Sequence, residues 1–437
     1  MHTDKGLTCF CNDDDCILLD PDNVFWANIS KDSQKRLLIQ QDVLSTYERV
    51  RERLDKEIRD FRFGTTLVAI YIDPTDRCNL NCPYCYIPSK IRKYGGEMTK
   101  EQLTYVLNRI REHFNKSRKK PVIIFHAAEP LLVKNIIFEA IKEYRNKFYF
   151  GLQTNAILLK KEDVEYLKRY RVGVGISLDS FNPSKNNRLR PDSFRKIVNA
   201  IKWFDGYEGL NVITTITKFN VSDLPYMVKF LHNLRVPSVL LNPMRLTQKN
   251  SWGFKPDEKL LTKYFIKAVD TALELSKKSN HRIIIGNFAN IILGIVSPTA
   301  RRLMCDISPC GGGRCFLTIT ASGDMIPCGE FIGIKGFSGG NIFKSSIKDA
   351  MRSRPFKRVR ARIVERIDVC KECIFKNICG APCPAELHSL GNMFKKSVFC
   401  NFYKEIIKYA FGVIAKGEEK YLLRADGLKN LKYEYRL

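Results

Sequence analysis

The sequence predicts an α/β protein: an open, partial (β/α)6 barrel with a short N-terminal extension and a cysteine-rich C-terminal segment. Three observations carry this. Short β-branched runs alternate with longer amphipathic runs six times between residues 65 and 300. The texture changes near residue 301, where cysteines become dense. The chain, at 437 residues, is too long for one small domain.

Residues 1–64 form the extension. "CILLDPDNVFWANIS" reads as a β-hairpin around the turn Asp20-Pro21-Asp22-Asn23, and the charged, heptad-like stretch from Gln34 to Arg59 as a helix. In residues 65–300 the strand candidates are 67–73, 121–127, 147–153, 172–179, 210–217 and 237–243. Helical patterns lie at 99–116, 133–145, 162–170, 192–204, 222–234 and 257–278. Strand–helix units in series give a parallel sheet with helices outside. Six units fall short of the eight of a closed TIM barrel, so a TIM-like barrel left open is expected, with chemistry at the C-terminal strand ends. In residues 301–437, Gly311-Gly312-Gly313 opens a loop and "FLTITASGDMIPC" reads as a hairpin turning at Ser322-Gly323-Asp324. A helical run at 401–415 is expected to close this second domain.

Composition narrows the class. The N-terminus carries Asp13-Asp14-Asp15 where a secretory signal would be basic, and the most apolar stretch, Ile283 to Val296, is short and interrupted by Asn287 and Asn290. A soluble, cytoplasmic protein with no membrane partner is expected. Fifteen cysteines in such a chain read as metal or cluster ligands rather than disulfides. The net charge of +27 asks for an acidic partner. The dense basic patches, 116–120 and 352–362, do not alternate with aromatics as a base-stacking surface would, so nucleic acid is not the expected partner.

The most informative stretch is "RCNLNCPYCY", residues 77–86, directly after the first strand. Its thiols, Cys78, Cys82 and Cys85, cannot complete a tetrahedral zinc site, and no His stands nearby. A [4Fe–4S] cluster with three protein ligands leaves one iron open for a small molecule. The spacing CxxxCxxC, with the aromatic Tyr84 before the last Cys and a parallel strand before the first, resembles the radical SAM enzymes. That resemblance implies a cluster whose open iron chelates S-adenosylmethionine (SAM), and a 5′-deoxyadenosyl radical that abstracts hydrogen from substrate. It also implies roles for other residues. "HAAEP" stands where the family has Gly-Gly-Glu-Pro, so Ala127 and Ala128 replace glycines while Glu129 and Pro130 match; Glu129 would hold the SAM amino group. Ser177 and Asp179 in "SLD" would meet the ribose and methionyl group, and Arg190 the SAM carboxylate. Asn155 in "LQTNA" would line the pocket.

Cys370, Cys373, Cys379 and Cys383 form Cx2Cx5Cx3C, with Cys400 after sixteen more residues; upstream, Cys310 is followed by twelve residues, Gly323, four residues and Cys328. This pattern resembles the SPASM domain of peptide-modifying radical SAM enzymes. It implies two auxiliary [4Fe–4S] clusters, three clusters in all. By the family's crossed pattern Cys310, Cys328 and Cys383 would hold one, and Cys370, Cys373, Cys379 and Cys400 the other. Cys305, Cys315 or neither completes the first set. A pair of structural zinc knuckles is the competing reading of the close spacings. Cys9, Cys11 and Cys16, a C-x-C-x4-C, read as reduced, mobile thiols rather than a metal site.

The resemblance implies an oxidoreductase acting on a peptide: a maturase of a ribosomally made precursor, acidic and Cys-containing, that forms a Cys thioether, with flavodoxin or ferredoxin as reductant. Carbon–carbon or carbon–oxygen crosslinking and formylglycine formation in a sulfatase are the alternatives. Glu330, two residues after Cys328, is the candidate base. Residues 1–64 would bind the precursor's leader or cap the barrel. A non-catalytic iron–sulfur electron carrier is the reading from another class; it would need no SAM pocket.

Overall fold

A computed structural model describes residues 6–11, 16–29 and 33–424, with the side chains of 33–41 outside the description. The extension is a three-stranded antiparallel sheet, β1 (Thr8–Cys11), β2 (Cys16–Leu19) and β3 (Trp26–Ile29), in that spatial order. The expected hairpin is β2–β3. Its turn is closed locally, because Asp20 Oδ1 accepts from the Asp22 amide at 2.7 Å and Asn23 Oδ1 from the Phe25 amide at 2.9 Å. β1 was not expected, so Cys9, Cys11 and Cys16 lie on paired strands, with Cys11 and Cys16 joined in a disulfide, rather than on a mobile segment.

Both faces of this small sheet are covered. Cys16, Leu18, Phe25, Ala27 and Ile29 pack on Val43, Tyr47 and Leu54 of the helix Ser33–Phe63. Ile17, Leu19 and Trp26 join the main core on the other side. There the Trp26 indole donates to Ile295 O at 3.1 Å, and Phe10 meets Phe375 and Phe411 edge-on.

The central sheet holds β4 (Ala69–Ile72), β5 (Val122–Phe125), β6 (Tyr149–Thr154), β7 (Gly173–Ser177), β8 (Leu210–Ile216), β9 (Ser238–Pro243), β10 (Ile284–Ile285), β11 (Phe316–Ile319) and β12 (Met325–Ile326), in the order β10-β9-β8-β7-β6-β5-β4-β11-β12. The six expected strands are β4 to β9, all parallel and in sequence order. Along β4, β5 and β8 buried residues alternate with half-buried ones. The buried face, including Ile70, Ile72, Ile123 and Phe125, packs with helix residues such as Val106, Ile110 and Ile137. The half-buried face lines the barrel interior. The helices follow the apolar periodicity; Lys100–His113, for example, starts at a Thr99–Gln102 capping box and buries Leu103, Val106, Leu107 and Ile110.

Two features depart from the sequence reading. The β11–β12 hairpin forms, but β11 also pairs in parallel with β4, Phe316 beside Ala69 through Ile319 beside Ile72. Leu317 and Ile319 are wholly buried there, which contributes about 1.5–3 kcal/mol per side chain. The helix Cys400–Ala415 lies on the barrel's helices Glu258–Lys278 and Gly286–Val296, with Phe402 against Phe265 and Tyr409 against Phe288, rather than only closing the cysteine-rich segment. Among the described residues no helix is long and apolar enough to cross a membrane.

One buried hydrogen bond ties the extension's turn to its helix: the Tyr47 hydroxyl donates to Asp20 Oδ2 at 2.6 Å. Asp20 is 4% exposed, so removing the donor leaves a desolvated carboxylate oxygen. Tyr47→Phe is expected to cost about 1–3 kcal/mol, read as a lower unfolding midpoint in urea; an unchanged midpoint shows the bond to be idle.

Candidate active site and auxiliary cysteine sites

The loop after β4 carries the first cysteine group. Arg92, 8% exposed, clamps it by donating to Ile87 O at 3.1 Å and Leu80 O at 3.2 Å, while Cys78 N donates to Arg92 O at 3.0 Å. Burial pushes the Cys78 thiol up to about 11. It raises Cys82 and Cys85 too, opposed mainly by Arg190 and Arg92 respectively. Buried thiols of this kind ionise when a metal centre takes the proton's place. Tetrahedral zinc, at about 2.3 Å from each sulfur, would bring its sulfurs to ~3.8 Å of one another. Among the described residues the only trio of Cys, His, Asp or Glu groups within 4.8 Å of one another is Cys9, Cys11 and Cys16. The interior cysteine sets are wider than this trio.

The SAM-site candidates gather on adjacent strand ends. Glu129 is wholly buried; Oε1 accepts from Leu131 N at 3.0 Å and from the Thr154 hydroxyl at 2.7 Å, and Oε2 from Asn155 N at 2.8 Å. Burial still holds its carboxyl up at about 7 against these donors. Asn155 Nδ2 reaches Asn79 Oδ1 at 2.7 Å and lies 3.9 Å from Cys78 Sγ, joining the β6 end to the cysteine loop. Ser177 ends β7, half-buried. Asp179 is hydrogen-bonded within the protein: its carboxylate accepts from Arg190 Nε at 2.8 Å, from the Tyr84 hydroxyl and from Thr215 N at 2.9 Å. It therefore orients Arg190, whose Nη1 lies 3.9 Å from Cys82 Sγ. Tyr84, the aromatic of the motif, is anchored by the same carboxylate.

Glu330 stands between this group and the next. Burial raises its carboxyl, Arg245 opposes that, Glu386 adds to it, and His126 opposes it again. Its charge bears on the Cys85 and Tyr86 groups on one side and on Cys328 and Cys383 on the other. Its Oε2 is buried without a hydrogen-bond partner, as are Asp73 Oδ1 and Oδ2, His126 Nδ1 and Thr318 Oγ1. His126 Nδ1 lies 3.6 Å from Asp73 Oδ1, and burial pushes the Asp73 carboxyl up to about 6. The sequence reading passes over Asp73, His126, Arg245 and Glu386. For the first three a signal was there: Asp73, His126 and Arg245 stand within two residues of the C-terminal ends of β4, β5 and β9. Glu386 has no such signal; it arrives from the helix Pro384–Ser389, taking the Leu246 amide at 2.8 Å.

The auxiliary cysteines fall into two sets. Burial raises the Cys328 thiol well above its ordinary range, and after Glu330 its charged neighbours are Cys305, Cys383 and Cys310. Cys305 in turn faces Cys310 and Cys383. Burial raises its thiol well above the ordinary range. Cys315 has Cys310 as its one cysteine neighbour and Arg314 beside it. Cys370, Cys373, Cys379 and Cys400 line a single cavity with Phe375 and Lys404, and Cys383 is not among its walls. Two glycines shape these loops. Gly323 turns at φ +85°, and a Cβ there would meet the Phe343 ring at 2.5 Å; Gly380, at φ +66°, lies against the Ile307 backbone.

Residues 72–231 match the radical SAM superfamily, and residues 310–374 match the SPASM iron–sulfur cluster-binding domain. An uncharacterized protein of Archaeoglobus fulgidus is 42% identical over 413 residues, 94% of this chain and 95% of that protein. A cysteine-type anaerobic sulfatase-maturating enzyme of Clostridium perfringens is 23% identical over 365 residues, 76% of this chain and 93% of that enzyme. Among solved structures, native anSMEcpe with bound AdoMet and Cp18Cys peptide superimposes with a TM-score of 0.69 at 21% identity, covering 80% of this chain and 99% of that one.

The two alanines of "HAAEP" depart from the glycine-rich motif, and the backbone accommodates them. Ala127 and Ala128 hold left-handed torsions, φ 59° and 44°, that glycine would adopt freely. Relief of that strain predicts that Ala128→Gly stabilises the protein by about 0.5–1 kcal/mol, seen as a raised thermal midpoint with SAM affinity retained; a lowered midpoint would show that the methyl group's packing outweighs the strain. With this departure accounted for, the chain belongs to the radical SAM superfamily, as an enzyme with a C-terminal SPASM iron–sulfur domain.

Proposed function

We propose that this enzyme matures a ribosomally synthesised peptide by joining a Cys sulfur to a carbon of another residue as a thioether. The observation that carries this is Glu330 itself: its Oε2 is buried without a hydrogen-bond partner, and its chain neighbours Cys328 and Phe331 pack in one cluster with Cys85 and Cys383. When bound, SAM on a cluster held by Cys78, Cys82 and Cys85 would supply a 5′-deoxyadenosyl radical, and two auxiliary [4Fe–4S] clusters would accept the electron released on product formation.

The chain's own residues do the rest. Glu129 offers a buried carboxylate to the SAM ammonium, and Arg190, held by Asp179, turns its remaining guanidinium edge to the SAM carboxylate. Asn155 and Ser177 border the same pocket, and Tyr84 braces it. If Cys305 joins Cys310, Cys328 and Cys383, beside which it stands, the first auxiliary cluster would have four protein thiolates and no iron open to a substrate thiolate. Deprotonating the substrate thiol then falls to Glu330, whose raised carboxyl is suited to take a proton. The net charge of +27 favours an acidic, Cys-containing precursor, and a flavodoxin or ferredoxin would serve as reductant.

Formylglycine formation is the second reading. It is supported by the same base beside Cys328 and by the likeness to the Clostridium perfringens enzyme. The two readings separate by mass: a thioether costs the peptide two hydrogens, whereas formylglycine replaces the thiol sulfur of one Cys by oxygen with oxidation.

Reconstituted anaerobically, the protein is expected to hold about twelve irons per chain; a count near eight removes one auxiliary cluster. Co-expression with a Cys-containing peptide encoded beside it should give the two-hydrogen loss by mass spectrometry, and Cys82→Ala should abolish both this and 5′-deoxyadenosine formation. Absence of 5′-deoxyadenosine from the reduced wild type with SAM defeats the enzyme reading. Glu330→Gln is expected to slow product formation by roughly 10²–10⁴-fold while SAM is still cleaved; a wild-type product rate removes Glu330 as the base.

A further inference from the structure

Three cysteines remain outside the chemistry above. Cys9 and Cys11 stand two residues apart on β1 and so share one face of the sheet, and Cys16 opens β2 directly opposite Cys11. The shared face is the one packed on the helix Ser33–Phe63: Cys16 is buried there beside Leu18 and Phe25, and Cys9 packs at the margin of the same cluster. Cys11 is exposed at the strand end. The three sulfurs lie within 4.8 Å of one another, with Cys11 and Cys16 disulfide-bonded.

We propose that Cys9, Cys11 and Cys16, when reduced, form a mononuclear site for a soft divalent cation, zinc foremost, separate from the iron–sulfur sites. Thiolate ligands at this number and spacing select a thiophilic ion. Zinc would set the sulfurs ~3.8 Å apart, a spacing intermediate between the bonded pair and the present outer limit. Among the described residues no interior cysteine trio is as close. Conditions that keep cluster ligands as thiolates also reduce a disulfide whose Cys11 sulfur stands at the exposed strand end, which leaves three adjacent thiols. The site has a structural consequence. Phe10 lies between Cys9 and Cys11 and projects from the opposite face onto Phe375, a wall of the Cys370–Cys400 cavity, and onto Phe411. Tying β1 to β2 at the sulfurs would hold that aromatic contact in register.

The test uses the anaerobically reconstituted full chain, offered one equivalent of zinc and freed of loosely bound metal. Expected are about one retained zinc per chain and a zinc-edge absorption spectrum with about three sulfurs near 2.3 Å. Cys9→Ser should lose the zinc and keep the iron. On the wild type, zinc should protect Cys9, Cys11 and Cys16 together from alkylation, an outcome that does not depend on any variant folding. Failure of the wild type to retain zinc, zinc retained by Cys9→Ser, or a Cys11–Cys16 disulfide persisting beside an alkylated Cys9 in the zinc-treated protein would each overturn the site.

Discussion

The parallel pairing of β11 with β4 sets the geometry on which the rest of the interior depends. β4 is hydrogen-bonded to β5 on one side and to β11 on the other, although β11 begins nearly 250 residues after β4 in sequence. The loop after β4 carries Cys78, Cys82 and Cys85, and the loop after β5 carries Glu129. The hairpin partner of β11 turns back so that Gly329 lies against the His126 ring. The ladder and the burial of Leu317 and Ile319 hold this register, and a one-residue slip would turn both apolar side chains the wrong way. The distance from the cysteine loop to Cys328 and Glu330 is thus a property of strand pairing, not of any linker.

A second constraint is electrostatic. Burial raises carboxyls and thiols throughout this interior, and arginines are prominent among the groups that oppose it: Arg190 beside Cys82, Arg245 beside Glu330 and Cys383, Arg362 beside Cys383, Cys310, Cys370 and Cys379. Arg362 and Arg314 are each 2% exposed. Arg362 spends its donors on the carbonyls of Met393, Ala381 and Lys395, and Ala381 lies between Cys379 and Cys383. One guanidinium therefore faces both auxiliary sets. Part of the chain's positive charge is internal, arranged around sites that carry negative charge once thiolates form. The excess cannot be assigned wholly to an acidic partner at the surface.

The extension is joined to the auxiliary region as well as to its own helix. Asn377 donates to Pro21 O and Asp22 O at 2.9 and 2.8 Å, and Lys376 pairs with Asp22 at 2.6 Å. These residues lie between Cys373 and Cys379. The turn whose Asp20 is held by Tyr47 thus also contacts the loop that lines the second auxiliary cavity.

Much was legible in the sequence because it is local. Strand and helix periods, the CxxxCxxC triad, the spacing from Cys370 to Cys400 and the punctuating Gly323 all follow from residues near one another in the chain, where backbone geometry ties spacing directly to shape. That level determined the α/β class, the order of the six strands and the family. What it could not decide depends on contacts between distant segments. The addition of β11 to the barrel sheet, the commitment of Asp179 to Arg190 and Tyr84, the company of Cys305 with Cys310, Cys328 and Cys383, and the meeting of Arg245 with Glu386 all arise where strand ends converge. β1 escaped notice because its four residues, Thr8–Cys11, are too few to show a period and gain their strand character from β2. Composition and spacing chose the chemistry; the pairing of strands and the burial of charge decided which side chains face it.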